Sequence, residues 1–163
     1  MGTVWITEVS TRMDCRFPAV VETLRAAIGV DDRIARIYPA INTVTFTGLT
    51  ESYVPETEAR VLDLVINSAV ENVKTAALRI GIVIQVVGAQ AMLPEQAALI
   101  GPRGTQDLLT VEETARILRI SPFMAQRSHE RGRLPGRAQW NGSTYYELPA
   151  IANFSTRIAE LSG

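Results

Sequence analysis

The chain has 163 residues, 47% of them hydrophobic and 20% charged, with a formal net charge of −1. That is ordinary globular material, enough for one compact domain or two small ones, and unlike the apolar-poor, highly charged composition of disordered chains. Cys15 is the single cysteine and His129 the single histidine, which excludes an intramolecular disulfide and a zinc site built from thiolates and imidazoles.

In chain order, Val4 and Ile6 alternate with Trp5 and Thr7, so 4–9 reads as a strand. A helix follows, with Pro18 suited to its first turn, Val20, Val21, Leu24, Ala27 and Ile28 as an apolar stripe, and Gly29 closing it. The stretches 33–39 and 43–47 carry Ile34, Ile37, Val44 and Phe46 and read as two strands of a hairpin turned through 39–42. From Pro55 to Ile80 the pattern is helical: Val61, Leu62, Val65, Ile66, Ala69, Val70, Val73, Ala76, Ala77 and Ile80 recur at three and four, and Gly81 ends it. The β-branched run 82–87 is then expected as a buried strand. Strand, helix, strand, strand, helix, strand is the split βαβ arrangement called ferredoxin-like, an antiparallel sheet with both helices on one face. The fold class expected is therefore α+β, with 1–93 as a ferredoxin-like domain for dimerisation or sensing.

Residues 94–106, with Pro94, Gly101, Pro102 and Gly104, break the periodicity and read as a linker, with room for a short helix at Pro94–Ile100. The longest apolar run, around 80–92, is interrupted by Gly81, Gln85, Gly88 and Gln90, so no segment is expected to span a bilayer. The start, MGTVWITEVS, lacks a basic region followed by an apolar core. A cytoplasmic protein without membrane association is the expectation. Charge divides at the linker: residues 1–100 carry 8 Arg/Lys against 11 Asp/Glu, −3, and residues 101–163 carry 8 against 6, +2.

The stretch 108–147 is the part that speaks about function. Thr110 with Glu113 is a capping box opening a helix at Val111, whose apolar positions Val111, Ala115 and Leu118, with Ile117 beside them, fall at helical spacing. Ile120 plugs a tight turn, and Ser121 with Pro122 restarts a second helix that should run to about Arg131, stopped by Gly132 and Pro135. Beyond it, 137–140 and 143–147 flank Asn141-Gly142, a strong two-residue hairpin signal. Ile151, Phe154, Ile158 and Leu161 then mark a last helix over 148–161.

These residues resemble the excisionase-like and MerR-like winged helix-turn-helix family. LLTVEETARIL matches its first helix, IS the turn, SPFMAQRSHERGRLPG the recognition helix and its exit, and the Asn-Gly hairpin the wing; the register runs without a gap from Leu109 to Pro135. Three positions depart from the family: Arg119 stands where Gly is usual, and Ser128 and His129 stand where aliphatic core residues are usual. The resemblance implies that 107–163 is a DNA-binding domain and that double-stranded DNA is the partner.

The family's core positions on the second helix fall on Ala125, Ser128 and His129, which leaves Pro122, Phe123, Gln126, Arg127, Glu130 and Arg131 on the face laid in the major groove. Arg127 suits the O6 and N7 of guanine, Gln126 suits adenine, and Phe123 offers apolar surface to a thymine methyl. The expected DNA-binding set is Arg119 and Ser121 at the turn, Phe123, Gln126, Arg127 and Arg131 on the helix, and Arg133, Arg137 and Asn141 toward the hairpin. Between Ser121 and Trp140 four Arg stand against one Glu, a small basic patch suited to phosphates. The bland alternative for this face is a solvated helix with one exposed Phe. Trp140, Tyr145 and Tyr146 are expected to pack the hairpin onto its own core.

His129 lies on the helix side toward the core with no nucleophile at suggestive spacing, and Cys15 is expected as a buried structural thiol. The Gly101-Pro-Arg-Gly104 segment lacks the Gly-Lys-Ser/Thr ending of a phosphate loop. No enzyme and no cofactor are expected. Because one small winged module reads few base pairs, a homodimer through the N-terminal domain is expected to supply two half-sites. The competing function is a protein-interaction adaptor whose helix-turn-helix has degenerated through Ser128 and His129.

Overall fold

The computed structural model describes residues 2–28, 34–55, 57–100 and 107–162, with side chains described through Ser155. Among them the chain is α+β, with six α-helices and two antiparallel sheets. It divides into two compact units, 1–92 and 93–163.

The first unit runs β1 (Thr3–Arg12), α1 (Pro18–Ala27), β2 (Ile34–Tyr38), β3 (Thr43–Ser52), α2 (Val61–Ile80) and β4 (Gln85–Met92). Its sheet has the order β2-β3-β1-β4 with every neighbouring pair antiparallel. A 3-10 turn at Pro39–Ile41, closed by Asn42 in the left-handed region, joins β2 to β3. Along β1, Val9 lies opposite Phe46 and Thr11 opposite Val44, and this face meets the helices in a core that includes Val21, Leu24, Ala69, Val73 and Ala76. Side chains alternate along a strand, so Trp5 and Thr7 share Val9's face. Thr7 and Thr11 are fully buried there and stay satisfied, Thr11 donating to the Val44 carbonyl at 3.1 Å and Thr7 sharing a 2.9 Å bond with the Thr50 hydroxyl.

Strands β1 and β3 run past the expected 4–9 and 43–47, and two further boundaries differ from the sequence expectation. Helix α2 begins at Val61, where the apolar pattern itself begins, and the chain from Pro55 turns instead through bonds from the Glu58 amide to Pro55 and from the Val61 amide to Glu58. The expected buried strand at 82–87 is displaced: Gly81 caps α2 at φ +74°, Ile82 and Ile84 pack partly against the core outside the ladder, and pairing starts at Gln85. The strand that results is an edge, largely exposed rather than buried. Gly29 and Arg33, expected at a helix end and a strand start, lie outside the described residues.

The second unit runs α3 (Pro94–Ile100), β5 (Leu108–Leu109), α4 (Val111–Leu118), α5 (Pro122–Glu130), β6 (Arg137–Trp140), β7 (Ser143–Glu147) and α6 (Leu148–Ser162). The residues expected as the first part of a linker thus form α3, which packs on α6. Strand β5, unforeseen in the sequence, pairs with β7 and makes the hairpin a three-stranded sheet of order β5-β7-β6. Ile117, Ala125, Tyr146 and Ile151 are at most 2% exposed and form its centre with Leu109. Phe154 on α6 is half-buried, and the side chains of Ile158 and Leu161 lie outside the described residues. No described helix is long and apolar enough to cross a membrane.

Candidate nucleic-acid interface

Short-range chemistry fixes the two helices. Glu113's amide donates to the Thr110 hydroxyl at 3.1 Å and Thr110's amide to the Glu113 carboxylate at 3.0 Å, so the capping box is formed in both directions. Helix α4 ends on Arg119 at φ 57°, ψ 41°, a left-handed conformation that side-chain-bearing residues adopt at a cost of about 1–2 kcal/mol. The turn is consequently short, and Ser121 caps α5 by accepting from the Met124 amide at 3.1 Å, with Pro122 at the first helical position.

The exit from α5 is as tightly specified. The Arg133 amide donates to the Ser128 carbonyl at 2.9 Å and the Gly132 amide to His129 at 3.1 Å, with Gly132 at φ +63°, the paired bonds of a Schellman end. Leu134 then buries, and Gly136, at φ +76°, passes so close to α6 that a Cβ there would sit 2.5 Å from the Ala150 Cβ. Asn141 at φ 49° and Gly142 at φ 81° make the two-residue turn between β6 and β7, as a type I′ hairpin requires.

Helix α5 buries a single residue, Ala125, at 0% exposure; Ser128 and His129 are half-buried. Phe123, Gln126, Arg127, Glu130 and Arg131 are exposed, and so are Arg119, Ser121, Arg133, Arg137 and Asn141. All nine residues of the expected set therefore stand at the surface of one unit. Ser121 and Gln126 are among those that already have work. Ser121's hydroxyl holds the helix cap, and Gln126 donates to the Glu130 carboxylate at 3.3 Å across one helical turn. Glu130 is the single acid on this face, so a polyanion meeting Arg127 and Arg131 also meets one negative charge.

His129 is engaged within the unit: Nδ1 lies 2.6 Å from the Tyr146 hydroxyl, and the two rings meet edge to face at 5.8 Å. Arg137 lies opposite Tyr146 in the β6–β7 register. Burial raises the Tyr146 pKa above its ordinary 10.0, and the nearby Arg137 cation works in the opposite direction with the smaller effect. Cys15, in the first unit, is buried and donates to the Asn42 side-chain oxygen. Among the described residues no three His, Cys, Asp or Glu side chains cluster where a metal ion could be held.

Two apolar side chains outside the expected set, Met124 and Trp140, belong to this surface. Met124 is 56% exposed beside Phe123 at 73%, because a first-turn residue next to the cap has no helix above it. Trp140 is 47% exposed, which corrects the expectation that it packs inward with Tyr146; it ends β6 at the turn, past the part of the sheet that β5 reaches. No family model matches the chain, and no curated protein or solved structure resembles it at a significant level.

Proposed function

We propose that residues 107–163 form a winged helix-turn-helix of the excisionase-like and MerR-like kind that binds double-stranded DNA, α5 entering the major groove and the β6–β7 hairpin acting as the wing. The protein is read as a sequence-specific regulator or an architectural factor. The observation that carries this is α5 itself: it is capped at both ends, anchored by little more than Ala125 and the His129–Tyr146 bond, and turns Phe123, Gln126, Arg127 and Arg131 to solvent. A helix fixed so firmly while burying so little serves a surface rather than a core. Arg119, Arg133 and Arg137 flank it and suit phosphates, which set affinity and register without telling bases apart.

The first unit is read as ferredoxin-like, supported by the order β4-β1-β3-β2, the antiparallel pairs, and helices after β1 and β3. In this reading it makes the protein a homodimer and so supplies a second copy of the DNA-reading unit.

The deciding experiment is fluorescence anisotropy of the full chain with duplex DNA across a salt series. Binding should weaken linearly in log–log form, by a slope of about −0.9 for each phosphate neutralised. The adaptor reading draws on the exposure of Phe123 and Met124, and predicts no binding to DNA even at low salt. That result would sink the present proposal.

A further inference from the structure

The β6–β7 hairpin reaches past the strand that braces it. Strand β5 pairs with β7 at Tyr146 and Glu147, so the pairs Ala138–Tyr145, Gln139–Thr144 and Trp140–Ser143 form a two-stranded ribbon beyond it. At about 3.3 Å per residue, that ribbon carries its tip roughly 10 Å outward. Opposed residues share a face and successive ones alternate, so Trp140 lies on the face away from buried Tyr146. Its neighbours on that face, Ala138 and Ser143, are too small to cover an indole, which leaves Trp140 47% exposed. The other face keeps the ribbon in shape, with Gln139 donating to the Thr144 hydroxyl at 2.9 Å, and Asn141-Gly142 closes the turn. An exposed tryptophan thus stands on a stiff tip.

We infer that Trp140 is the hairpin's contact with the duplex, its indole entering the minor groove and making the protein sensitive there to the 2-amino group of guanine. This rests on the DNA reading above and adds to it a residue outside the expected set. Charge favours the occupant. The stretch from Arg131 to Tyr146 carries Arg131, Arg133 and Arg137, all exposed, and no acidic residue, so whatever covers the indole also meets a band of positive charge. A polyanion fits that band.

The chemistry of the side chain chooses the groove. Phosphates are met best by cations, whereas a neutral ring with one N–H donor suits a slot with apolar walls and acceptors on its floor. The minor groove has both: sugar edges line it, and adenine N3 and thymine O2 accept at its floor. It is about 6 Å wide, too narrow for a two-stranded ribbon and wide enough for one ring presented edge-on from the ribbon's end. Guanine alone places a donor there, its 2-amino group, which opposes the indole N–H and fills the floor. Among the described residues none accepts a hydrogen bond from the Trp140 N–H, so that donor is open to the groove.

Duplexes that the full chain selects from a randomised pool supply the test. In a Trp5→Phe background Trp140 is the single indole, and acrylamide should quench it freely in the protein alone and poorly in the complex. Trp140→Ala, with wild-type circular dichroism, should bind about tenfold more weakly, as loss of an aromatic contact to nucleic acid does, and its salt slope should be unchanged because no phosphate contact is lost. Replacing A·T pairs by G·C, step by step along the flanks of the selected site, should weaken the wild type. Inosine·cytosine pairs, which keep the major-groove face of G·C and lack the 2-amino group, should restore it, and Trp140→Ala should bind all three flanks alike. An indole that stays open to acrylamide in the complex hands Trp140 to a protein partner and overturns the inference. So do wild-type affinity in Trp140→Ala, a reduced salt slope, or G·C and inosine·cytosine flanks that bind the wild type equally. Each of these leaves the reading of the major groove by α5 standing, whereas a chain that selects no duplex sinks the DNA reading itself and this inference with it.

Discussion

His129 on α5 and Tyr146 on β7 are joined by a 2.6 Å hydrogen bond beneath the exposed face of α5, and this bond ties the candidate recognition helix to the hairpin beside it. Tyr146 is 1% exposed, so its hydroxyl depends on the imidazole for a partner that water cannot replace. The bond puts a directional polar contact, beside the edge-to-face contact of the two rings, between α5 and β7.

Tyr146→Phe should therefore destabilise the second unit by about 1–2 kcal/mol, the worth of the bond plus part of the cost of stranding the His129 nitrogen. The two tryptophans fall one in each unit, so Trp140 fluorescence in a Trp5→Phe background reads this unit alone. The tyrosine also sets a pH limit. Burial holds its pKa above 10.0, so the folded state favours the neutral phenol; that contribution is complete below about pH 10 and drains away as the pH rises through the folded-state value. The midpoint of unfolding should fall above pH 10 in the wild type, and more shallowly in Tyr146→Phe. Equal slopes would show that another group governs the alkaline limit.

Arg119 holds a left-handed conformation at the end of α4, at the position where the resembled family usually has glycine. Compared with Arg119→Ala, which loses the same side-chain interactions but keeps the Cβ, Arg119→Gly should be more stable by about 0.5–1 kcal/mol. In the DNA reading the same change lowers affinity on all sequences alike and reduces the salt slope by about 1, because a phosphate contact is lost. Unfolding and salt titrations thus test the two roles separately, and an Arg119→Ala variant as stable as Arg119→Gly would contradict the assignment of strain to this residue.

Gly132 and Gly136 both have positive φ and differ in what surrounds them. A Cβ at Gly132 meets nothing within 4 Å, so Gly132→Ala should cost only the left-handed conformation, about 1 kcal/mol. A Cβ at Gly136 would collide with Ala150, so Gly136→Ala should cost more than about 2 kcal/mol. Chemical denaturation that ranks the two the other way round would show that the approach of this loop to α6 is not tight.

Arg127→Ala should weaken DNA binding by about 1–3 kcal/mol and relax the preference at one base pair, as removal of a bidentate base contact does. Competition binding over a randomised duplex pool distinguishes this from a uniform loss, which would reassign Arg127 to a phosphate. Glu130→Gln should act oppositely, strengthening binding on every sequence, because it removes the one carboxylate from the exposed face of α5.

The sequence by itself determined the punctuation of this chain. The Thr110–Glu113 box, Ser121-Pro122, the Gly132 stop, the Asn141-Gly142 turn and the Gly81 cap all stand where the residues put them, since each depends on hydrogen bonds and φ preferences spanning a few neighbours. The exposed side of α5 was legible only through the resemblance, whose core positions fall on Ala125, Ser128 and His129; of these Ala125 is buried and the other two are half-buried. What only the tertiary structure decided involves partners far away in sequence. The identity of β4 as an edge, its start at Gln85 instead of Ile82, the recruitment of β5 to β7, and the burial of Thr7 and Thr11 in place of an aliphatic face all turn on which strand lies alongside. The joining of α3 to the second unit and the exposure of Trp140 likewise depend on what covers them, and a residue's hydrophobicity does not say whether a neighbour will arrive to bury it.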